Sequence, residues 1–155
     1  MPGDARTVGL QVVANECDAV RELSLLGAHK FLVVGSENVA LLPWVVANDQ
    51  TADAAVYTKA VNGTLPTAVR QLGRQLGVRV TYFPLARVWS RIRDDAADLG
   101  ITELDKPWEL TYPAYVPGAH DPDTHFYWDE WHPTRVVHRL TAESMGIALM
   151  PPVRR

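Results

Sequence analysis

The chain has 155 residues, 47% of them hydrophobic and 21% charged, an ordinary globular composition that excludes disordered, collagen-like and coiled-coil architectures and predicts one domain. Fifteen Lys and Arg against eighteen Asp and Glu give a net charge of -3, so there is no basic field to hold a nucleic-acid backbone or an anionic membrane. The apolar runs FLVV and VALLPWVV are too short for a membrane span, MPGDARTV lacks the plan of a secretory signal, and the single Cys17 allows neither an internal disulfide nor a cysteine metal cage.

Residues 4–26 place Leu10, Val13, Cys17, Val20 and Leu23 three or four apart, the stripe of an amphipathic helix, and Gly27 fits its stop. Cys17 falls on that stripe and reads as a packed thiol. Phe31, Leu32, Val33 and Val34 are continuously apolar, which predicts a strand buried on both faces of a parallel sheet and ended by Gly35. After the polar junction of Asn48, Asp49 and Thr51, a second helix runs through Tyr57, Val61, Leu65, Val69, Leu72 and Leu76 to Gly77. Asn62-Gly63 and Pro66 are expected to kink or split it, and Asn62-Gly63-Thr64 matches the glycosylation acceptor pattern.

Val78 to Phe83 predicts the next strand, and Leu85, Val88, Ile92 and Leu99 predict a helix ended by Gly100. Residues 101–122, with Pro107, Pro113, Pro117 and Gly118, read as a long connection that is functional or loosely ordered and a candidate substrate wall. Pro133 is expected at the early position of a last helix through Val136, Val137, Leu140 and Ile147. Helices between strands predict an α/β layer with parallel strands and right-handed crossovers. Only two strands are legible, against about five in a doubly wound sheet, so unpaired edges must be covered.

The densest reactive cluster is DPDTHFYWDEWHPTRVVHRL, with Asp121, Asp123, His125, Asp129, Glu130, His132 and His138. Asp129 and His132 stand three apart, so a tight turn lets the carboxylate bond one imidazole nitrogen while the other faces a cleft, the base and orienter of a hydrolytic triad. Other readings stand beside this one. The pair can simply cap a helix, or His125, Asp129, His132 and His138 can ligate zinc or iron, although His138 lies six positions from His132 and off its face. Trp128 and Trp131 flank the pair and are either pocket wall or core.

FYWDEWHPTRVVHRLTAE resembles the final block of the SGNH, or GDSL-type, ester hydrolases, in which an Asp-x-x-His-Pro-Thr segment supplies both partners of the catalytic serine. VVANECDAVRELSLLGAHKFLVVGSENVALLPW and YTKAVNGTLPTAVRQLGRQLGVRVTYF resemble the helix–strand units that precede it, so the likeness spans most of the chain and is most specific at the last block. It implies the later part of a flavodoxin-like three-layer α/β/α fold with its N-terminal strands missing, so that residues 1–155 form a single incomplete domain. His132 is then the general base and later the acid, and Asp129 holds its tautomer. The family's Gly-Asp-Ser block and its Gly and Gly-x-Asn-Asp blocks have no counterpart, since Gly3-Asp4 is followed by Ala5. Of Ser24, Ser36, Ser90 and Ser144, only Ser36 follows a strand's carboxyl end and offers a substitute nucleophile.

Three functions follow from this reading. The first is hydrolysis of acyl or acetyl esters of lipids, carbohydrates or small molecules, with no cofactor, no metal and no nucleic-acid partner. The second is a non-catalytic remnant that pairs through an exposed sheet edge, as in a homo-oligomer. The third is an incomplete gene product whose missing strands lie upstream. As written the chain reads as cytoplasmic, with secretion expected if a missing N-terminal half carried a signal.

Overall fold

The computed structural model describes residues 4–113 and 120–150. Gly3, Pro117 and Gly118, which entered the sequence reading, lie outside the described residues. The first element is α1 (Ala5–Leu25), opened by Asp4, whose side chain accepts the Arg6 N–H. Gly27, at φ 97°, turns the chain out of the helix, and Ala28 N–H bonds the Leu23 carbonyl. The buried positions of α1 are Gly9, Val13, Cys17 and Val20, whereas Leu10 and Leu23, predicted on the stripe, are exposed. The cause is Gly9. A Cβ there would lie 2.9 Å from the Ala60 Cβ and 3.0 Å from the Tyr57 carbonyl oxygen, so α1 approaches its neighbour on the glycine face.

That neighbour is α3 (Thr51–Leu76), which runs unbroken through Asn62-Gly63 and Pro66. Pro66 removes one helical N–H, but Val61, Leu65, Val69 and Leu72 are buried against α1 and the sheet, and this packing holds the turn in place. Asn62 donates to the Ser36 carbonyl (2.8 Å) and accepts from the Tyr82 hydroxyl (3.3 Å), so the amide of the acceptor pattern is engaged within the fold. The helix ends at Gly77 in the left-handed region, φ 67°.

Strands β1 (Lys30–Val34) and β2 (Arg79–Phe83) pair in parallel, with Phe31 opposite Val80 and Val33 opposite Tyr82. The α/β reading with parallel strands is therefore observed. Of β1 only Val33 is fully buried, which corrects the expectation of a strand buried on both faces. Among the described residues β1 has a single strand partner, so one edge stays open and its neighbours stay half-buried.

The predicted helix after β2 stops early, as α4 (Leu85–Asp94), and Leu99 is exposed. Turns carry the chain over Gly100 (φ 78°) and drive Ile101 into the core, and the Ile101 N–H is fixed on the Ala96 carbonyl at 2.8 Å. Two short helices escape periodicity altogether: α2 (Pro43–Ala47) and α5 (Trp108–Thr111). The last helix, α6 (Arg135–Leu149), begins after Pro133 instead of with it, because Pro133 forms an antiparallel bridge with Tyr127 and Thr134 takes the N-cap position. Val136, Val137 and Thr141 are its buried face, and Ile147 is exposed.

One apolar cluster lies between α1, α3 and the sheet. A second joins Leu42, Val45, Ile101, Phe126, Tyr127 and Val137, and carries the segment with the Asp and His. Phe126 is wholly enclosed, so Phe126→Ala should cost about 3–5 kcal/mol. Leu26→Ala, at a position 84% exposed, should change stability by less than about 0.5 kcal/mol in the same urea titrations. Similar small losses at both positions would contradict the second core.

Candidate active site

The chain leaves the core at Tyr127, makes a tight excursion and returns at Pro133. Trp128 N–H donates to the His132 carbonyl (2.8 Å), and Thr134 N–H donates to that of Phe126 (2.9 Å). Inside the excursion Asp129 Oδ1 accepts the N–H groups of Trp131 (2.7 Å) and His132 (2.6 Å), the local bonding for which Asp is favoured in turns. The same carboxylate meets the His132 ring, with Nδ1 at 2.8 Å from Oδ2 and 3.0 Å from Oδ1. An ionised carboxylate only accepts, so Nδ1 carries the proton and the neutral ring keeps its lone pair on Nε2. Nε2 has no hydrogen bond to a described residue, and the imidazole side chain is 71% exposed. Partial burial opposes ionisation of Asp129, but the Trp131 N–H, the imidazole and the His132 N–H outweigh it and hold the carboxyl below its ordinary value.

The turn is clamped from both sides. Trp131 stacks on Trp44 of α2 with centroids 4.8 Å apart, and the Trp44 N–H reaches the Glu130 carbonyl (3.3 Å). The Tyr127 hydroxyl donates to the Leu41 carbonyl (3.2 Å), and burial pushes this phenol up to about 12, so it stays a donor. Both ties lead to the connection that leaves the carboxyl end of β1, where open α/β sheets place their ligand sites. On the far side Trp128 stacks on buried Trp108 at 4.7 Å. There Trp108 and Glu109 N–H groups donate to the carbonyls of Tyr127 and Trp128, each at 2.9 Å. Beneath the turn Thr134 is buried and its hydroxyl donates to the His125 carbonyl (2.7 Å).

The fold brings Asp129 and His132 together and leaves the other reactive groups apart. Ser36 follows β1, but its hydroxyl donates to the Glu37 carbonyl (2.9 Å) and makes no hydrogen bond with His132. His125 is buried beside Thr124, with Nδ1 3.0 Å from its hydroxyl, and burial pushes its pKa down. Among the described residues no three His, Cys, Asp or Glu side chains converge, so His125, Asp129, His132 and His138 do not form a common ligand set. Residues 101–113 of the predicted loop are ordered by backbone bonds to the segment around 124–128, as in the Phe126 N–H to Glu103 carbonyl bond of 2.8 Å. Sequence reasoning missed Trp44 and Trp108. The available signal was the dipeptide Pro-Trp, which opens both short helices.

Two curated proteins resemble the chain over most of its length. The secreted effector protein SseJ of Salmonella typhimurium is 25% identical over 139 residues, covering 86% of this chain and 34% of that protein. A GDSL esterase/lipase of Arabidopsis thaliana is 24% identical over 153 residues, covering 90% of this chain and 40% of its own length. The chain thus spans between a third and two-fifths of these relatives, and it matches no protein-family model.

A depressed carboxyl contributes stability above its unfolded pKa and loses that contribution as pH falls through its folded value. Carbon NMR of the Asp129 carboxyl should therefore give a midpoint below the ordinary 3.8, with stability falling on acidification through it and this part of the fall missing in Asp129→Asn. A midpoint at or above 3.8 would mean that the three donors do not converge in solution.

Proposed function

We propose that the chain is the base-bearing part of an SGNH-type ester hydrolase, acting on acyl or acetyl esters of lipids, carbohydrates or small molecules. One observation carries this reading: an exposed imidazole whose Nε2 has no hydrogen bond to a described residue, held through Nδ1 by a carboxylate, on a turn tied to the connection that leaves a parallel strand's carboxyl end. The distant likeness to a GDSL esterase/lipase supports it. In this reaction Nε2 takes the proton of a serine hydroxyl as the oxygen attacks the ester carbonyl. The imidazolium then protonates the departing alkoxide, and His132 activates water to release the acid. Asp129 holds the ring and stabilises its positive charge throughout.

The nucleophile of this scheme comes from outside the 155 residues, because the sequence contains no Gly-Asp-Ser block and Ser36 bonds its neighbour's carbonyl. Further strands added at the free edge of β1 would extend the pair toward a flavodoxin-like sheet and make residues 1–155 part of a larger domain. The free edge also favours a second reading, a non-catalytic module that pairs through β1 with another chain.

The test fuses the chain behind the part of the Arabidopsis GDSL esterase/lipase that precedes the matched region and follows 4-nitrophenyl acetate hydrolysis. The fusion should be active, and His132→Ala should lower kcat by roughly 10³–10⁶. The chain alone should resist a serine-reactive fluorophosphonate, read by intact mass. Stoichiometric labelling of Ser36 would make the chain itself the esterase. A folded fusion with no hydrolysis, beside self-association of the chain, would favour the pairing module.

A further inference from the structure

We propose that Trp128 and Trp131, on the turn that carries His132, form a sugar-binding platform, so that the substrate is a saccharide carrying its ester on a ring hydroxyl. This deepens the hydrolase reading and rests on it. Each indole has one face covered by a partner, Trp108 for Trp128 and Trp44 for Trp131. Yet Trp128 is 39% exposed and Trp131 45% exposed, so each stacked residue keeps open area for a ligand. Each pair is further fixed by a backbone bond, Trp44 N–H to Glu130 and Glu109 N–H to Trp128, which removes most of the entropy that a mobile aromatic would lose on binding.

The surroundings favour a sugar over an acyl chain. A pyranose presents a C–H face to the electron-rich face of an indole and turns its hydroxyls outward. An acyl chain gains by enclosure from water, and this face is open, with the imidazole 71% exposed. The apolar hollow of about 480 Å³ lies elsewhere, between α4 and α6, lined by Val88, Ile92, Leu99, Leu140 and Ile147.

The experiment follows the indole N–H signals of the full chain by proton–nitrogen NMR during titration with an acetylated xylo-oligosaccharide, and separately with glycerol monobutyrate. The signals of Trp128 and Trp131 should move with the saccharide, and neither should move with glycerol monobutyrate. Trp131→Ala should weaken saccharide binding about three- to tenfold while Trp131→Phe keeps most of it, with circular dichroism confirming that both fold. Absence of shifts, equal shifts with the glycerol ester, or unchanged affinity in both Trp128→Ala and Trp131→Ala would overturn the platform. The two readings fail separately: saccharide binding beside an inactive fusion would remove the hydrolase and keep the platform, and an active fusion without saccharide binding would do the reverse.

Discussion

The carboxylate of Asp129 receives three donors, the N–H groups of Trp131 and His132 and the Nδ1 of His132, and these bonds fold the turn and set the chemistry together. The two backbone bonds close the chain tightly enough for its own imidazole to fall on the same carboxylate. The ring bond then selects the tautomer with its lone pair outward. An amide in place of the carboxylate would offer one acceptor oxygen to three donors and would lose the charge that stabilises an imidazolium. The three donors are also what keep this partly buried carboxyl ionised, since burial alone would raise its pKa.

A turn of this kind is precise only if its base is rigid. Here the base is the second core, in which Phe126 and Tyr127 are almost wholly enclosed, and the buried Thr134 hydroxyl is spent on the His125 carbonyl. The lateral restraint comes from two Pro-Trp segments, each the start of a helix too short to be stable alone, and each fastened to the turn by a backbone hydrogen bond and a ring stack. The α2 segment follows β1, so the position of the imidazole is referred back to the carboxyl end of the sheet.

What the sequence made legible was local. The Asp129–His132 contact spans three residues and needs only a turn, and α3 shows its stripe over many turns. The misreadings each had a non-local cause. Leu10 and Gly9 exchange places because the stripe is centred by the approach of α3, which periodicity in α1 cannot register. Pro133 carries a helix-start signal, but its pairing with Tyr127 holds it in extended backbone. FLVV has the composition of a central strand while its burial is that of an edge, because burial depends on how many strands assemble around it. The Trp44–Trp131 stack was illegible because it joins two segments far apart in sequence through the tertiary fold.

Under the proposed function, the open imidazole and the open edge of β1 are each explained by further chain. A histidine general base must face its nucleophile closely, and one that already had an internal partner would hold its Nε2 in a hydrogen bond and lose exposure. Among the described residues His132 does neither. Ser36 stands on the connection leaving β1, but its hydroxyl is turned into the carbonyl of Glu37 and its own carbonyl into Asn62. Reorienting it toward His132 would break the first of these bonds and disturb the second, which ties α3 to the end of the strand. A nucleophile supplied by further chain asks for no such rearrangement. The edge offers the unpaired N–H and C=O groups that a further parallel strand requires. Under the proposed function, the missing hydroxyl partner of His132 and the missing strands beside β1 would both come from further chain.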